Sequence, residues 1–387
     1  MAEYYANDFV TRDGNLKIYL LSNHSAVQKN DAFIIEYEGE ILVVDGGMNG
    51  INETQKKLLE LRKKYLTAHP ELADSVTCKL KINWFASHLH KDHVLDFIHD
   101  IIPDPYIEID NIYIPPETAY VLPHEGCELD GDKEFRPVLM DQLERYQHTC
   151  YTVHEAKFGK EHVYSFRSST GSEHEVEFTV YPPTKDWGAG EGLAKIVNYY
   201  SNDNPYDTQA IWSLSNSNSQ WLRVKFGENV FLFTGDTMKR TPSHHDEPLD
   251  EMTKAYREMI GEVDFIKYVH HGLYRDLAAE LMLSYNADYY LFTGTLATAG
   301  DAMINFVSQT LKAINEKECN HEPLTEEDLE TKCAAEAKIK ALREKFLYGE
   351  KYDITLTCTH GIKYIAVDKK ERTSECGHST GCPSIVV

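Results

Sequence analysis

The sequence predicts an α/β protein in which strands and helices alternate in two successive rounds. Short apolar runs stop abruptly at turns carrying acids or histidines, and amphipathic stretches at helical spacing follow them. No period of repeat length is visible, which sets solenoid and propeller architectures aside.

Lys17 to Leu21 and Phe33 to Tyr37 read as short strands. Glu38-Gly39-Glu40 is turn chemistry and leads into Ile41-Leu42-Val43-Val44, a buried strand stopped by Asp45-Gly46-Gly47. Asn52 to Ala68 spaces its apolar residues as an amphipathic helix, Lys79 to Ala86 returns to strand, and Val94 to Ile102 is a helix ended by Pro103. Between Asp104 and Ser172 the signals are mixed, and we read that stretch as an insertion or an elaborated rim.

Strand character resumes at Glu175 to Tyr181. Trp221 to Phe226 and Val230 to Phe233 then flank the turn Gly227-Glu228-Asn229, and the second of them stops at Thr234-Gly235-Asp236. Leu249 to Ile260 reads as helix, Asp264 to Val269 as a strand ending at His270-His271-Gly272, and Ala287 to Phe292 as strand. Helices are expected at Ala302 to Ile314 and Glu326 to Phe346, with a closing hairpin of Tyr352 to Thr357 and Ile362 to Val367 around His360-Gly361. A length of 387 residues suits one large domain or two unequal ones. We take 1–387 as a single domain with insertions at 104–172 and 316–350.

Composition narrows the function classes. With 42% hydrophobic and 26% charged residues the chain has the balance of a soluble globular protein. Met1 to Val10 lacks the basic residue and apolar run of a signal peptide, and no segment reaches spanning length, so a cytoplasmic protein without a membrane partner is expected. Lys plus Arg number 39 against 62 Asp plus Glu, a net charge of −23 that repels long nucleic acid. A small or medium-sized substrate is the expected partner. The eight cysteines include no C-x-x-C pair, so reduced thiols are expected. The tail grouping of Cys376, His378 and Cys382, near Cys358 and His360, matches no common structural zinc spacing and is read as coincidence.

Ser87-His88-Leu89-His90-Lys91-Asp92-His93 carries the chemistry. It places three imidazoles and a carboxylate within six positions at a strand-to-helix junction. Neutral imidazole and carboxylate are the ligands of zinc and related divalent ions, and a tight loop can aim His88 and His90 at one ion and Asp92 and His93 at a neighbour. Asp236, delivered by a buried strand and a glycine exit, suits a bridging carboxylate. His270 and His271 end a further strand, where adjacent side chains point in different directions, so one can ligate the second ion while the other faces substrate. Which does which stays open. Lys267, Arg223 and Tyr268 could aid an anionic substrate but read as solvated strand residues.

The pattern His88-x-His90-x-Asp92-His93, then Thr234-Gly235-Asp236, then His270-His271-Gly272 resembles the metallo-β-lactamase superfamily. Within it, the likeness is greatest to the branch containing the hydrolase domain of bacterial competence DNA-uptake proteins and the pneumococcal phosphorylcholine esterase. Asp31-Ala32-Phe33-Ile34-Ile35, Leu42-Val43-Val44-Asp45-Gly46-Gly47 and Asn216-Ser217-Asn218-Ser219 add to it. The resemblance implies an α/β metallo-β-lactamase αββα sandwich with insertions and metals at one edge between the sheets. Leu95-Asp96 stand where the family often has a glycine pair. A third histidine for the first ion is not placed by sequence: His99, His124, His148, His154, His162 and His174 are candidates, and Tyr181 or an asparagine near Asn218 could take that corner.

The expected function is therefore a metal-dependent hydrolase with two divalent ions, zinc first and manganese or iron as substitutes. Its expected metal ligands are His88, His90, Asp92, His93, Asp236, His270 and His271, and Asp92 and His271 carry the catalytic roles. A phosphodiesterase using a metal-bridging hydroxide is the leading activity. An ester or lactone hydrolase, an iron-dependent redox member of the fold and a non-catalytic binding protein are the alternatives.

Overall fold

The computed structural model describes residues 4–21, 31–48, 53–116, 135–147, 151–183, 216, 219–237, 257–272, 279–293, 300–349 and 352–371. The first round of structure runs β1 (Tyr4–Tyr5), β2 (Asn15–Leu20), β3 (Ala32–Tyr37), β4 (Glu40–Asp45), α1 (Glu53–Tyr65), β5 (Cys78–Phe85) and α2 (Lys91–Asp96). β6 (Ile107–Ile114), α3 (Arg136–Tyr146), β7 (Thr152–Glu155) and β8 (Tyr164–Arg167) follow. The second round is β9 (Glu177–Tyr181), β10 (Trp221–Phe226), β11 (Asn229–Phe233), β12 (Phe265–Lys267), α4 (Ala279–Ser284) and β13 (Tyr289–Phe292). The chain then forms α5 (Asp301–Ser308), α6 (Lys312–Cys319), α7 (Glu326–Glu344), β14 (Phe346–Tyr348), β15 (Tyr352–Thr359) and β16 (Ala366–Glu371).

Among the described residues these strands make two mixed sheets. One runs β16-β15-β2-β3-β4-β5-β6-β7 with β1 paired to β5, and the other runs β14-β13-β12-β11-β10-β9-β8. β4, β5, β6 and β7 pair in parallel, as do β11, β12, β13 and β14, so each sheet has a parallel half. Parallel strands covered on both faces need near-continuous apolar runs, which is why every residue of β11 and β12 is buried.

The period of two along the strands sorts the core into three layers. Phe33, Ile35, Leu42, Val44 and Phe85 of the first sheet meet Leu222, Val224, Phe231, Phe233 and Phe265 of the second, forming the core between the sheets. The opposite faces carry Ile34, Val43, Ile82 and Trp84 against Leu58 and Leu61 of α1, Val94 and Phe97 of the α2 region, and Leu139 and Leu143 of α3. On the far side, Leu232, Ile266, Tyr290 and Phe292 pack under Met282 of α4, Val307 of α5 and Leu342 of α7. Helices thus cover both outer faces, which is the αββα sandwich that the resemblance implied.

Boundaries shift in informative places. The helix expected from Val94 starts at Lys91, with His90 as its N-cap residue, and widens to π geometry over Phe97–Ile101. The stretch read as an insertion or rim supplies strands to both sheets: β6 and β7 extend the first and β8 edges the second. The helix expected to run through Phe346 gives way to β14, whose Phe346 and Leu347 are buried. Most of the helix expected over 249–260, and the cysteines of the tail grouping at 376 and 382, lie outside the described residues.

Phe233 sits where the sheets meet, with its ring 5.0 Å from Phe33 of the opposite sheet and 6.3 Å from Phe265. Phe233→Ala is expected to destabilise the fold by about 3–5 kcal/mol, the range for removing a buried aromatic ring. Urea unfolding should show this as a lower midpoint at unchanged slope.

Candidate metal centre

Three connections deliver the polar residues to one edge of the sandwich. After β5 the chain crosses Ala86-Ser87-His88-Leu89-His90 and enters α2, so Asp92 and His93 lie on the first turn of a helix rather than on a loop. Asp45, at the end of β4, holds this connection from below. Its Oδ1 accepts the Ser87 backbone N–H at 2.6 Å, and its Oδ2 accepts the Ser87 hydroxyl at 3.0 Å and lies 2.9 Å from His93 Nδ1. Asp45 has a left-handed φ of 61°, which an aspartate tolerates better than most residues, and the Trp84 indole donates to its carbonyl. Asp96 N–H donates to the Gly47 carbonyl at 3.0 Å, which ties this helix to the turn after β4.

The second sheet supplies the rest. Past β11, Thr234 donates its hydroxyl to the Lys267 carbonyl at 2.7 Å, and Asp236 N–H donates to Ser219 Oγ at 3.0 Å. Gly235 has φ 54°, and a Cβ there would stand 2.7 Å from Ser87 Cβ, so only glycine lets this turn reach the β5 connection. Past β12, His270, His271 and Gly272 are three consecutive residues of positive φ, at 45°, 57° and 87°.

That turn changes the expectation for the two histidines. They lie beyond the strand end, their rings are 5.7 Å apart, and both Nε2 atoms approach the same oxygen: Asp236 Oδ2 is 3.1 Å from His271 and 3.6 Å from His270. His93 Nε2 reaches that oxygen at 3.2 Å, and His271 Nε2 also lies 3.3 Å from Asp92 Oδ2. His271 is fully buried, whereas the His270 side chain is 15% exposed. His88 packs beside this group, its ring 4.1 Å from that of His93 and 4.6 Å from that of His90. The expected residues therefore converge.

Asp31 and Lys267 were missed. Donor atoms of Asp31, His93, Asp236 and His271 all lie within 4.8 Å of one another. Asp31 nevertheless belongs to the surroundings, because one oxygen lies 3.1 Å from His271 Nδ1 and the other pairs with the Lys267 ammonium. Lys267, read from sequence as solvated, is 1% exposed. Its ammonium also donates to the Gly235 carbonyl at 2.8 Å and approaches Asp236 Oδ1 at 3.3 Å. Tyr268 is likewise buried, and Arg223 faces Glu177 at 3.9 Å. Of the candidates for a third histidine, His99 and His162 are exposed, His154 bonds Asn111, and His174 stacks on His360. His124, His148 and Asn218 lie outside the described residues, and Tyr181 is a buried residue of β9.

The residues present fit a divalent cation. Buried Nε2 atoms of His88, His90, His93 and His271 have no hydrogen-bond partner, although carboxylate oxygens stand close to two of them. Buried polar atoms are rarely left so, and imidazole with carboxylate is a donor set for zinc, manganese or iron. Nδ1 of His93 faces Asp45, and Nδ1 of His271 faces Asp31 and Thr293, the carboxylate–histidine arrangement that fixes a ligating ring.

Electrostatics divides the imidazoles. Burial lowers His88, and neighbouring His93 and His90 lower it further; burial outweighs Asp92 at His90 and brings it to about 4. Both are neutral donors. Burial also pulls on His93 and His271, but Asp236 and Asp45 carry His93 well above its ordinary value, and Asp236 and Asp31 carry His271 to about 10. Burial opposes the charge of Lys267 as well, and Asp31 and Asp236 overcome it.

No family model and no curated protein matches the chain. Among solved structures it is similar to the metallo-β-lactamase fold protein YhfI from Bacillus subtilis, at 10% identity over 77% of this chain and 93% of that one, with a TM-score of 0.36. It is similar to the short form of human tRNase Z at 12% identity, over 73% and 94% of the two chains, with a TM-score of 0.38. A diphosphatase from the PhnP family aligns at 12% identity over 72% and 85%, with a TM-score of 0.33. Layer order rather than these overall scores establishes the αββα sandwich, the architecture that the motif resemblance implied.

Because His93 and His271 hold protons in the metal-free chain, a cation must displace them. Metal binding near neutral pH is expected to release about two protons per chain, one of them lost in His271→Ala. Calorimetry in buffers of different ionisation enthalpy measures this. The sign for stability follows from His271, whose folded value is raised to about 10 from an ordinary 6.5. Its contribution to the metal-free fold is full below pH 6.5 and is lost as pH rises toward about 10, so thermal stability of the metal-free protein should fall across that window.

Proposed function

We propose that this chain is a binuclear metallohydrolase, with phosphodiester cleavage of a small or medium-sized substrate as its activity. The observation that carries the proposal is the convergence of His93 Nε2, His271 Nε2 and His270 Nε2 on Asp236 Oδ2, with the unpartnered nitrogens of His88 and His90 alongside. His88 and His90 would hold one ion, Asp92, His93 and His271 the other, and Asp236 would be shared. Two divalent ions at such a site, zinc first and manganese or iron as substitutes, supply polarisation of the scissile phosphoryl oxygen and acidify water toward neutral pH.

The remaining work falls to the protein's own groups. Asp45 fixes the ring of His93, and Asp31 with Thr293 fixes that of His271, so neither ring needs to reorganise during reaction. The Asp92 side chain is 23% exposed, so besides holding metal it can accept a hydrogen bond from attacking water and orient it. The catalytic role expected for His271 passes to His270, because His271 is enclosed by Asp31, Asp92 and Asp236 while the more exposed His270 can donate to the departing oxygen. Lys267 is committed to Asp31 and Asp236 and has no access to substrate.

Phosphodiester specificity and the proposed branch rest on the motif resemblance, and the branch's flanking residues have work to do here. Asp31 holds His271, and Ser219, which closes the Asn216 segment, accepts the Asp236 N–H. The net charge of −23 favours a compact substrate over long nucleic acid. Among the described residues Cys78, Cys319, Cys333 and Cys358 form no disulfide, and a cytoplasmic setting stays an expectation from composition. No helix among the described residues is long and apolar enough to cross a membrane.

Metal quantification of the purified chain, alongside turnover of a bis-aryl phosphodiester, a phosphomonoester and a lactone, tests the proposal. Zinc or manganese with diester turnover is expected. Iron alone, lactone turnover alone, or no turnover with metal bound would each replace it with another activity class. His90→Ala and Asp236→Ala should fold yet lose at least about 100-fold in rate, since even an outer partner of a metal ligand is worth 10–100-fold.

A further inference from the structure

Among the described residues, the buried ammonium of Lys267 is a feature of the centre that the proposed hydrolysis does not use. On β12, Phe265 and Lys267 share the face turned to the opposite sheet while Ile266 packs under the helices, so Lys267 extends the apolar core between the sheets up to the polar edge. An ammonium has three N–H groups, and here three acceptors surround it: Asp31 Oδ2, the Gly235 carbonyl and Asp236 Oδ1. A buried ion pair is weak grounds for stability, because apolar residues of like volume serve as well or better. Its position behind a shared carboxylate gives it a different use.

We propose that Lys267 is a positioning residue that makes Asp236 a one-oxygen ligand. With Oδ1 facing the ammonium at 3.3 Å, only Oδ2 is turned to His93, His270 and His271, all within 3.6 Å. Asp31 completes the device: one of its oxygens anchors the ammonium and the other holds His271 Nδ1, so a single carboxylate sets both the shared acid and a ligating ring. Without the ammonium, Asp236 is free to rotate and clasp one cation with both oxygens, withdrawing from the other. The inference rests on the metal-centre reading but not on the identity of the substrate.

The test uses the full-length chain and the double variant Lys267→Met, Asp31→Asn. This pair removes both charges together, so neither is left buried alone, and the asparagine side chain retains an acceptor for His271 Nδ1. Zinc affinity is measured by competition with a chromogenic chelator, and ligand geometry by the visible spectrum of the cobalt-substituted protein. The double variant is expected to melt close to wild type when metal-free, to bind zinc about 10–100-fold more weakly at one site, and to show altered cobalt bands. A folded double variant with wild-type zinc affinity and cobalt spectrum overturns the proposal and leaves the metal centre standing. Wild-type protein that binds no divalent ion overturns both. Crystals of zinc-loaded wild type decide the matter independently of the variant's folding: Oδ2 alone on metal is expected, and a chelating Asp236 with Lys267 displaced would refute it.

Discussion

A carboxylate from one sheet, Asp31, meets an ammonium from the other, Lys267, at the edge of the sandwich. The apolar layer of Phe33, Phe233 and Phe265 supplies the favourable energy of packing, but apolar contact is non-directional and tolerates small slips of one sheet over the other. The polar contact does not. Asp31 immediately precedes β3, Lys267 ends β12, and moving either sheet by one residue would leave a charge buried without a partner. This charged contact disfavours a slipped register, and it adds to the holds of Ser219 on Asp236 and of Thr293 on His271.

The same edge concentrates negative charge. Asp31, Asp45, Asp92 and Asp236 stand close together with Lys267 as the fixed cation, so in the metal-free chain protons on His93 and His271 supply what neutralisation they can. At His88 and His90 burial outweighs the nearby acids, and the two rings, 4.6 Å apart, disfavour charge on each other. The chain is thus organised in two ways toward cations: one half holds exchangeable protons where positive charge is needed, and the other presents lone pairs. Loading such a site costs deprotonation on one side and little on the other.

Much of this was legible in the sequence because strand ends are legible. A buried run stopped by a glycine-bearing turn marks the edge of a sheet, and three such ends carry Asp45, Asp236 and His270-His271. Lys267 was misjudged by treating it as one residue of a half-solvated strand. The signal lay in its neighbours: Phe265, Ile266, Tyr268 and Val269 are all apolar, and a lysine inside such a run on a parallel strand is covered on both faces and must find a counter-ion. Asp31 looked like a strand's leading turn residue, since nothing local distinguishes an acid that reaches 240 positions along the chain to His271. The strands β7 and β8 escaped notice because each is only four residues long, and β6, though eight residues long, carries Glu108, Asp110 and Asn111 inside its apolar run.

The turn after β12 shows why pattern alone could not settle the two histidines. Along a strand, neighbours face opposite ways, and only one of His270 and His271 could then have met Asp236. Positive φ at both residues rotates the second ring back toward the first, at a cost of roughly 1–3 kcal/mol per residue for non-glycine side chains in that region. The surroundings hold the conformation in place: His270 N–H donates to the Gly235 carbonyl at 3.1 Å, and His271 Nδ1 stands against Asp31 and Thr293. Gly235 therefore takes part twice, its carbonyl accepting from both Lys267 and His270, and its missing side chain admitting Ser87. Backbone strain in one turn and close approach in another are what bring imidazoles from opposite sheets to a single carboxylate oxygen.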